Sequence, residues 1–137
     1  MREFFQAGTS GVDFARAQER FSSVIDRCAS WLDDEGRRRV ELGLHELFVN
    51  IRTHSYRNED GPIDVLVSTT HNGVCIDVTD WGTKFEGDVL RPIPTGLRSG
   101  GYGLAIVSAV FDGVHYARLG DQNWWALEIR RPAAETP

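Results

Sequence analysis

Two runs rich in β-branched residues, IDVLVSTT at 63–70 and VCIDVTD at 74–80, meet at His71-Asn72-Gly73. Asn-Gly between alternating strands is the strongest short-range hairpin signal, because the tight turn that matches strand twist needs left-handed backbone at its centre. Two neighbouring antiparallel strands are thereby set in the middle of the chain. A second pair, VHYARL and WWALEIRR, flanks Gly120-Asp121-Gln122-Asn123, which reads as the turn of another hairpin. Residues 2–7 read as an edge strand.

The segments between these strands carry helical periodicity. Phe14, Ala17, Phe21, Val24 and Cys28 recur at the spacing of one helix face, which predicts an amphipathic helix over 12–30. Asp33 and Asp34 offer N-caps for a second helix running to about residue 55, with Leu44, Leu47, Phe48 and Ile51 in its core-facing stripe. A Pro- and Gly-rich loop over 82–100 precedes a short helix near 103–111. Within it, 85–100 shows no sustained period and is expected to be mobile without ligand and partly ordered with it. The order β-α-α-β-β-α-β-β predicts an α+β domain, a two-layer sandwich of a mostly antiparallel sheet with its helices on one face. At 137 residues and 41% hydrophobic content the chain makes one domain, 1–131, with a disordered tail at 132–137.

Composition removes several functions. A net charge of -5, with basic residues scattered apart from Arg37-Arg38-Arg39, argues against a nucleic-acid surface. The opening MREFFQAGTSG lacks the apolar stretch of a signal peptide, and no run approaches the ~20 residues of a membrane span. Cys28 and Cys75 sit in regular segments and are expected to be free thiols. A soluble cytoplasmic protein is the expectation.

Three polar groupings border the open side of the predicted sandwich. Glu46, Asn50 and His54 fall within an arc of about 80° on the flank of the second helix, opposite its apolar stripe. Seen by itself, such a ladder is as readily a solvated face. Asp80-Trp81-Gly82 ends an otherwise apolar strand, where an Asp often just starts a turn. Ser99-Gly100-Gly101-Tyr102-Gly103-Leu104 opens a helix; glycines there let backbone N–H groups approach phosphate oxygens, although a glycine-rich turn is more often a plain linker.

In order and spacing these groupings resemble the GHKL (Bergerat-fold) ATPases, and within them the small anti-sigma-factor serine/threonine protein kinases (RsbW-like). The resemblance covers about residues 12–131. Glu46-Leu47-Phe48-Val49-Asn50 with His54-Ser55-Tyr56 is similar to that family's E-x-x-x-N-x-x-x-H-x-Y box; Asp80-x-Gly82 is similar to its adenine-reading box. Gly101-x-Gly103-Leu104 with Val107 is similar to its phosphate-lid box. The resemblance implies ATP and Mg²⁺ as cofactors, with Asn50 as the metal ligand and Glu46 as the general base that takes the proton of the attacking hydroxyl. It implies that Asp80 accepts the adenine amine and that Gly82 leaves room for the ring. It further implies that Arg98, Ser99, Gly100, Gly101, Tyr102, Gly103 and Leu104 line the phosphates, with Arg98 or Arg91 offsetting charge on the transferred group. His54 is either a phosphate contact or a packed structural imidazole.

Three departures touch the edges of that pattern. Lys84 stands where a glycine often follows the adenine box, Ile51 follows Asn50 in place of alanine, and Trp125-Ala126-Leu127 offers no threonine on the final strand. The chain is too short for the transducer domain of gyrase, MutL or the heat-shock chaperones, and no dimerising helix pair precedes the domain as in a sensor kinase. The resemblance therefore implies a kinase that acts as an anti-sigma factor: it would phosphorylate a STAS-domain anti-anti-sigma protein, bind a sigma factor and form a homodimer. Phe4, Phe5, Trp124 and Trp125 are available for that dimer or for the core. The competing reading is a binding module that sequesters its partner without phosphoryl transfer; retention of both Glu46 and Asn50 favours the enzyme.

Overall fold

The computed structural model describes residues 1–86 and 103–133. In chain order the elements are β1 (Arg2–Gly8), α1 (Gly11–Cys28), α2 (Asp34–Asn50), a π-helical turn (Ile51–Ser55), β2 (Pro62–Thr70), β3 (Gly73–Asp80), α3 (Gly103–Val110), β4 (Gly113–Leu119) and β5 (Gln122–Arg130). The strands form one five-stranded sheet in the order β1-β2-β3-β5-β4, and every neighbouring pair is antiparallel. Helices cover one face, so the architecture is the expected two-layer α+β sandwich.

Strand alternation decides which side chains meet the helices. Ile63, Val65 and Val67 of β2, Val74, Ile76 and Val78 of β3, and Trp125, Leu127 and Ile129 of β5 are all buried. Against them α1 lays Ala17, Phe21, Val24, Ile25 and Cys28, with Phe14 at the margin, and α2 lays Val40, Leu44, Leu47 and Phe48. Each such side chain, fully buried, contributes roughly 1.5–3 kcal/mol. Both helices start where a side chain satisfies an end N–H: Ser10 Oγ accepts from Asp13 N–H at 3.2 Å, and Asp33 Oδ1 from Gly36 N–H at 2.7 Å. The third helix lies against α2 at Gly43, where a Cβ would come within 2.8 Å of the Phe111 ring.

Two local expectations need correction. The second helix does not run as α-helix to residue 55. After Asn50 the bonding widens to i→i+5, with Tyr56 N–H donating to Ile51 O at 3.0 Å, and a single π-helical turn follows. The turn of the last hairpin is also shorter than four residues. Leu119 pairs with Gln122, so only Gly120 and Asp121 form the loop, with Gly120 at φ 62°, and Asn123 lies inside β5. Both cysteines are free. Phe5 and Trp125 belong to the core, whereas Phe4 is 53% exposed on the opposite face. Among the described residues no helix is long and apolar enough to cross a membrane.

Candidate functional site

Strand β3 ends on a fully buried carboxylate. Asp80 continues the inward-facing series Val74, Ile76, Val78, and its relative exposure is 0%. Directly across the β3–β5 ladder stands Asn123, also 0% exposed. Asp80 Oδ1 accepts from Asn123 Nδ2 at 2.9 Å and from Gly82 N–H at 2.9 Å. Oδ2 is equally buried and has no hydrogen-bond partner among the described residues. One oxygen is thus anchored and the other is left as a bare acceptor.

Around this pair the chain is tightly tied. The amide of Asn123 also donates to Thr83 O at 2.8 Å and to Ser55 Oγ at 3.3 Å. Its Oδ1 accepts from the Tyr116 hydroxyl at 2.5 Å and from Arg118 Nη1 at 3.2 Å. Arg118 Nη1 reaches on to Gly82 O at 2.7 Å. Strands β3, β4 and β5, the π-turn and the 81–85 segment therefore converge on one amide.

Burial pushes the Asp80 carboxyl above the usual carboxylate range. Hydrogen bonds from Asn123 and Gly82, the nearby Ser55 hydroxyl and the Arg118 charge pull against that shift without reversing it. The Ser55 hydroxyl, which favours the ionised carboxylate, also lies 3.5 Å from Thr83 O. A buried ionisable group with an unsatisfied oxygen costs stability, about 1–3 kcal/mol or more when charged. Such groups concentrate where a ligand completes the bonding.

An aromatic cluster adjoins Asn123 through the Tyr116 hydroxyl. Trp125 packs against Tyr116 with ring centroids 4.7 Å apart, and Phe85 closes on both, at 5.2 Å from Trp125 and 5.5 Å from Tyr116. Trp125 lies two residues from Asn123 on the same inner face of β5, and its Nε1 is another buried polar atom without a partner among the described residues.

Glu46 and Asn50 lie one turn apart on α2, both partly exposed. Among the described residues neither side chain is engaged in a hydrogen bond or ion pair. The end of their helix is brought to the Asp80 pocket by the π-turn, since Ser55 O accepts from Thr83 N–H at 2.8 Å. His54 stands within that turn. It is exposed, so it is not a packed structural imidazole, and its carbonyl accepts from Thr83 Oγ1 at 3.1 Å. Ser55 turns inward in its stead. Tyr56, the last residue of the box, fastens the corner: its hydroxyl accepts from Trp81 N–H at 2.9 Å and donates to Pro62 O at 2.5 Å.

Gly82 also meets a packing requirement of the fold. A Cβ there would sit 2.4 Å from Ser55 O, so the glycine lets the 80–83 turn close against the π-turn. Gly103 begins α3, and Leu104 packs at the edge of the core, with Val107 fully buried behind it. Arg91, Arg98, Ser99, Gly100, Gly101 and Tyr102 lie outside the described residues, as does most of the 85–100 segment. Lys84 is exposed.

Asn123, Tyr116 and Arg118 are the residues that sequence reasoning missed. Trp125-Ala126-Leu127 lacks the threonine expected on the last strand, whereas the residue facing Asp80 is Asn123. A two-residue reading of the Gly120-Asp121 turn would have found it, because that register puts Asn123 on the inner face with Trp125 and Leu127.

A buried carboxylate, an aromatic cluster and the end of a helix bearing Glu46 and Asn50 thus meet at one end of the sheet. Residues 13–128 match the family described as histidine kinase-like ATPase domain. Among solved structures the chain is similar to the histidine kinase AdeS of Acinetobacter baumannii, at 18% identity and a TM-score of 0.58, over 95% of this chain and 67% of that one. At that identity the likeness speaks to the fold. No curated protein matches the sequence. With the family match spanning most of its length, the chain belongs to the histidine kinase-like ATPases, within the GHKL superfamily of ATP-binding domains.

Proposed function

We propose that this ATP-binding domain is a serine/threonine protein kinase acting as an anti-sigma factor, with a STAS-domain anti-anti-sigma protein as its substrate and a sigma factor as its second partner. What supports the reading is the buried Asp80 carboxylate, with one oxygen unpartnered among the described residues, tied through the π-turn to the helix that carries Glu46 and Asn50, neither of them engaged among the described residues. A module that only sequesters a partner has no use for a base. The anti-sigma assignment, the homodimer and the cytoplasmic setting rest on the order of the three motifs, which resembles the anti-sigma-factor kinases.

In this reading the adenine amine donates to Asp80 Oδ2, and the Phe85, Tyr116 and Trp125 rings border the base. Asn50 supplies one amide oxygen to Mg²⁺, a donor type that the ion accepts while keeping waters and phosphate oxygens as its other ligands. Among the described residues no group of three His, Cys, Asp or Glu forms a metal site, and a nucleotide-borne ion needs none. When bound, Mg²⁺ neutralises charge on the phosphates. Glu46 takes the proton of the serine or threonine hydroxyl as its oxygen bonds to the γ-phosphorus and the bond from that phosphorus to the β–γ bridging oxygen breaks, leaving ADP. Backbone N–H groups at the start of α3 face the phosphates.

The test is transfer of labelled γ-phosphate from ATP to the cognate STAS-domain protein. Glu46→Gln keeps size and hydrogen bonding but removes the base, so transfer is expected to fall about 10²–10⁴-fold while nucleotide still binds. Transfer at the wild-type rate in Glu46→Gln removes Glu46 from the mechanism. Absence of transfer by wild-type protein with ATP bound favours sequestration.

A further inference from the structure

We infer that Asn123, locked in one orientation by Tyr116 and Arg118, is the residue that holds Asp80 as an acceptor and so makes the pocket select a purine with a 6-amino group over one with a 6-carbonyl. The inference rests on the nucleotide reading above and assigns a specificity role to a residue outside the three motifs.

An asparagine amide offers a donor end and an acceptor end of nearly the same shape, so its orientation must come from its partners. Here the partners leave one choice. On the Oδ1 side are the Tyr116 hydroxyl and the Arg118 guanidinium, the latter a donor and nothing else. On the Nδ2 side are Asp80 Oδ1 and the Thr83 carbonyl, both acceptors. A flipped amide would turn oxygen toward a carboxylate and a carbonyl, and NH₂ toward a guanidinium. The Tyr116 hydroxyl is itself oriented, because it accepts from Phe85 N–H at 3.0 Å and so gives its proton to Asn123.

The consequence passes to Asp80. With two donors already on Oδ1, a proton on this carboxyl would have to reside on Oδ2, the bare atom. Ionised, Oδ2 accepts from an amino group. Protonated, it donates, and suits a carbonyl. The donors on Oδ1 favour the ionised form. Taking away Asn123 removes one of the two and leaves a buried carboxyl that holds its proton more tightly. Among the described residues the charged and titratable groups that act on Asp80 are Arg118 of β4 and Tyr56 after the π-turn, with the Ser55 hydroxyl beside them and Tyr116 reaching it only through Asn123. Of these Arg118 supports the ionised state. It bonds both Asn123 and the Gly82 carbonyl, so one guanidinium steadies both donors to Oδ1.

Affinities for ATP and for inosine triphosphate, which carries a carbonyl at the 6-position, test this in the wild-type protein, Asn123→Leu and Tyr116→Phe. Wild type is expected to prefer ATP. In Asn123→Leu, ATP affinity at pH 7.5 should fall about 10- to 100-fold while inosine triphosphate changes less, so that the preference collapses. Raising the pH should restore part of it, by ionising Asp80. Tyr116→Phe frees the amide to turn and should move the ratio the same way by a smaller factor. It also decides the matter if Asn123→Leu does not fold. Equal weakening of both nucleotides, with the ratio and its pH profile unchanged in the folded variants, would mean that Asn123 merely supports the fold and would overturn the inference. Wild type that binds neither nucleotide overturns the nucleotide reading itself, and this inference with it.

Discussion

Gly82 passes so close to Ser55 that a Cβ at position 82 would stand 2.4 Å from the Ser55 carbonyl oxygen and 2.5 Å from its Cβ. The obstruction includes backbone, which cannot swing aside as a side-chain tip does. Gly82→Ala must therefore part the 80–83 turn from the π-turn, breaking the Thr83 N–H bond to Ser55 O and disturbing the anchor of Asp80. A loss of about 1–3 kcal/mol is expected in denaturant unfolding, the range for forced overpacking, together with loss of nucleotide affinity. An alanine variant with unchanged midpoint and affinity would contradict the tight closure.

Tyr56 makes a second test of the same corner. Its hydroxyl is the partner of the Trp81 N–H and also reaches Pro62 O. Tyr56→Phe leaves an N–H beside Asp80 without its partner, at an expected cost of about 1–3 kcal/mol. Amide hydrogen exchange at Trp81 should speed up accordingly. Protection equal to wild type would show that water or another group takes over.

Asp80 should be a liability to the unliganded fold. Its carboxyl is raised above the ordinary value chiefly by burial, so its contribution to stability is present in full below about pH 3.9, the ordinary carboxylate pKa, and is lost as pH rises through the raised one. At neutral pH the ionised group destabilises. Asp80→Asn is expected to melt higher than wild type at pH 7, by about 3–6 °C for each kcal/mol relieved. The difference should shrink in acid. A variant that melts lower at neutral pH would mean that the charge is better compensated than its bare Oδ2 implies.

The same sign applies to ligand binding. An amino group needs the ionised carboxylate, so ATP affinity should decline as pH falls through the raised pKa of Asp80. In Asp80→Asn that dependence should vanish. A pH profile shared by wild type and variant would assign the titration to another group.

Most of the architecture was legible because it rests on periodicity. Leu44, Leu47, Phe48 and Ile51 share a stripe in any helix, and all four are buried. The alternation of 63–70 and 74–80 set one face of β2 and β3 inward, with Asp80 at the end of that face. The π-turn was not legible, because α and π bonding differ by one acceptor and the choice is made by contacts that Ser55 and Tyr56 form with residues 62 and 81–83. Asn123 escaped for a related reason. Gly120, Asp121 and Asn123 all suit turns, and only the strand register, set in space by β3 and β4, tells which of them stand in the sheet. Glu46 and Asn50 were visible as a spacing, whereas the network that anchors Asp80 joins residues up to 68 positions apart.

The nucleotide site proposed at Asp80 underlies every functional step above, and titration calorimetry of Mg²⁺-ATP into the folded wild-type protein and Asp80→Asn addresses it directly. Expected is saturable binding by wild type, weakened about 10- to 100-fold in Asp80→Asn, whose melting curve shows it folded. No binding of ATP by the folded wild-type protein would contradict the nucleotide site; equal affinity in the two would contradict the place given to Asp80 in it.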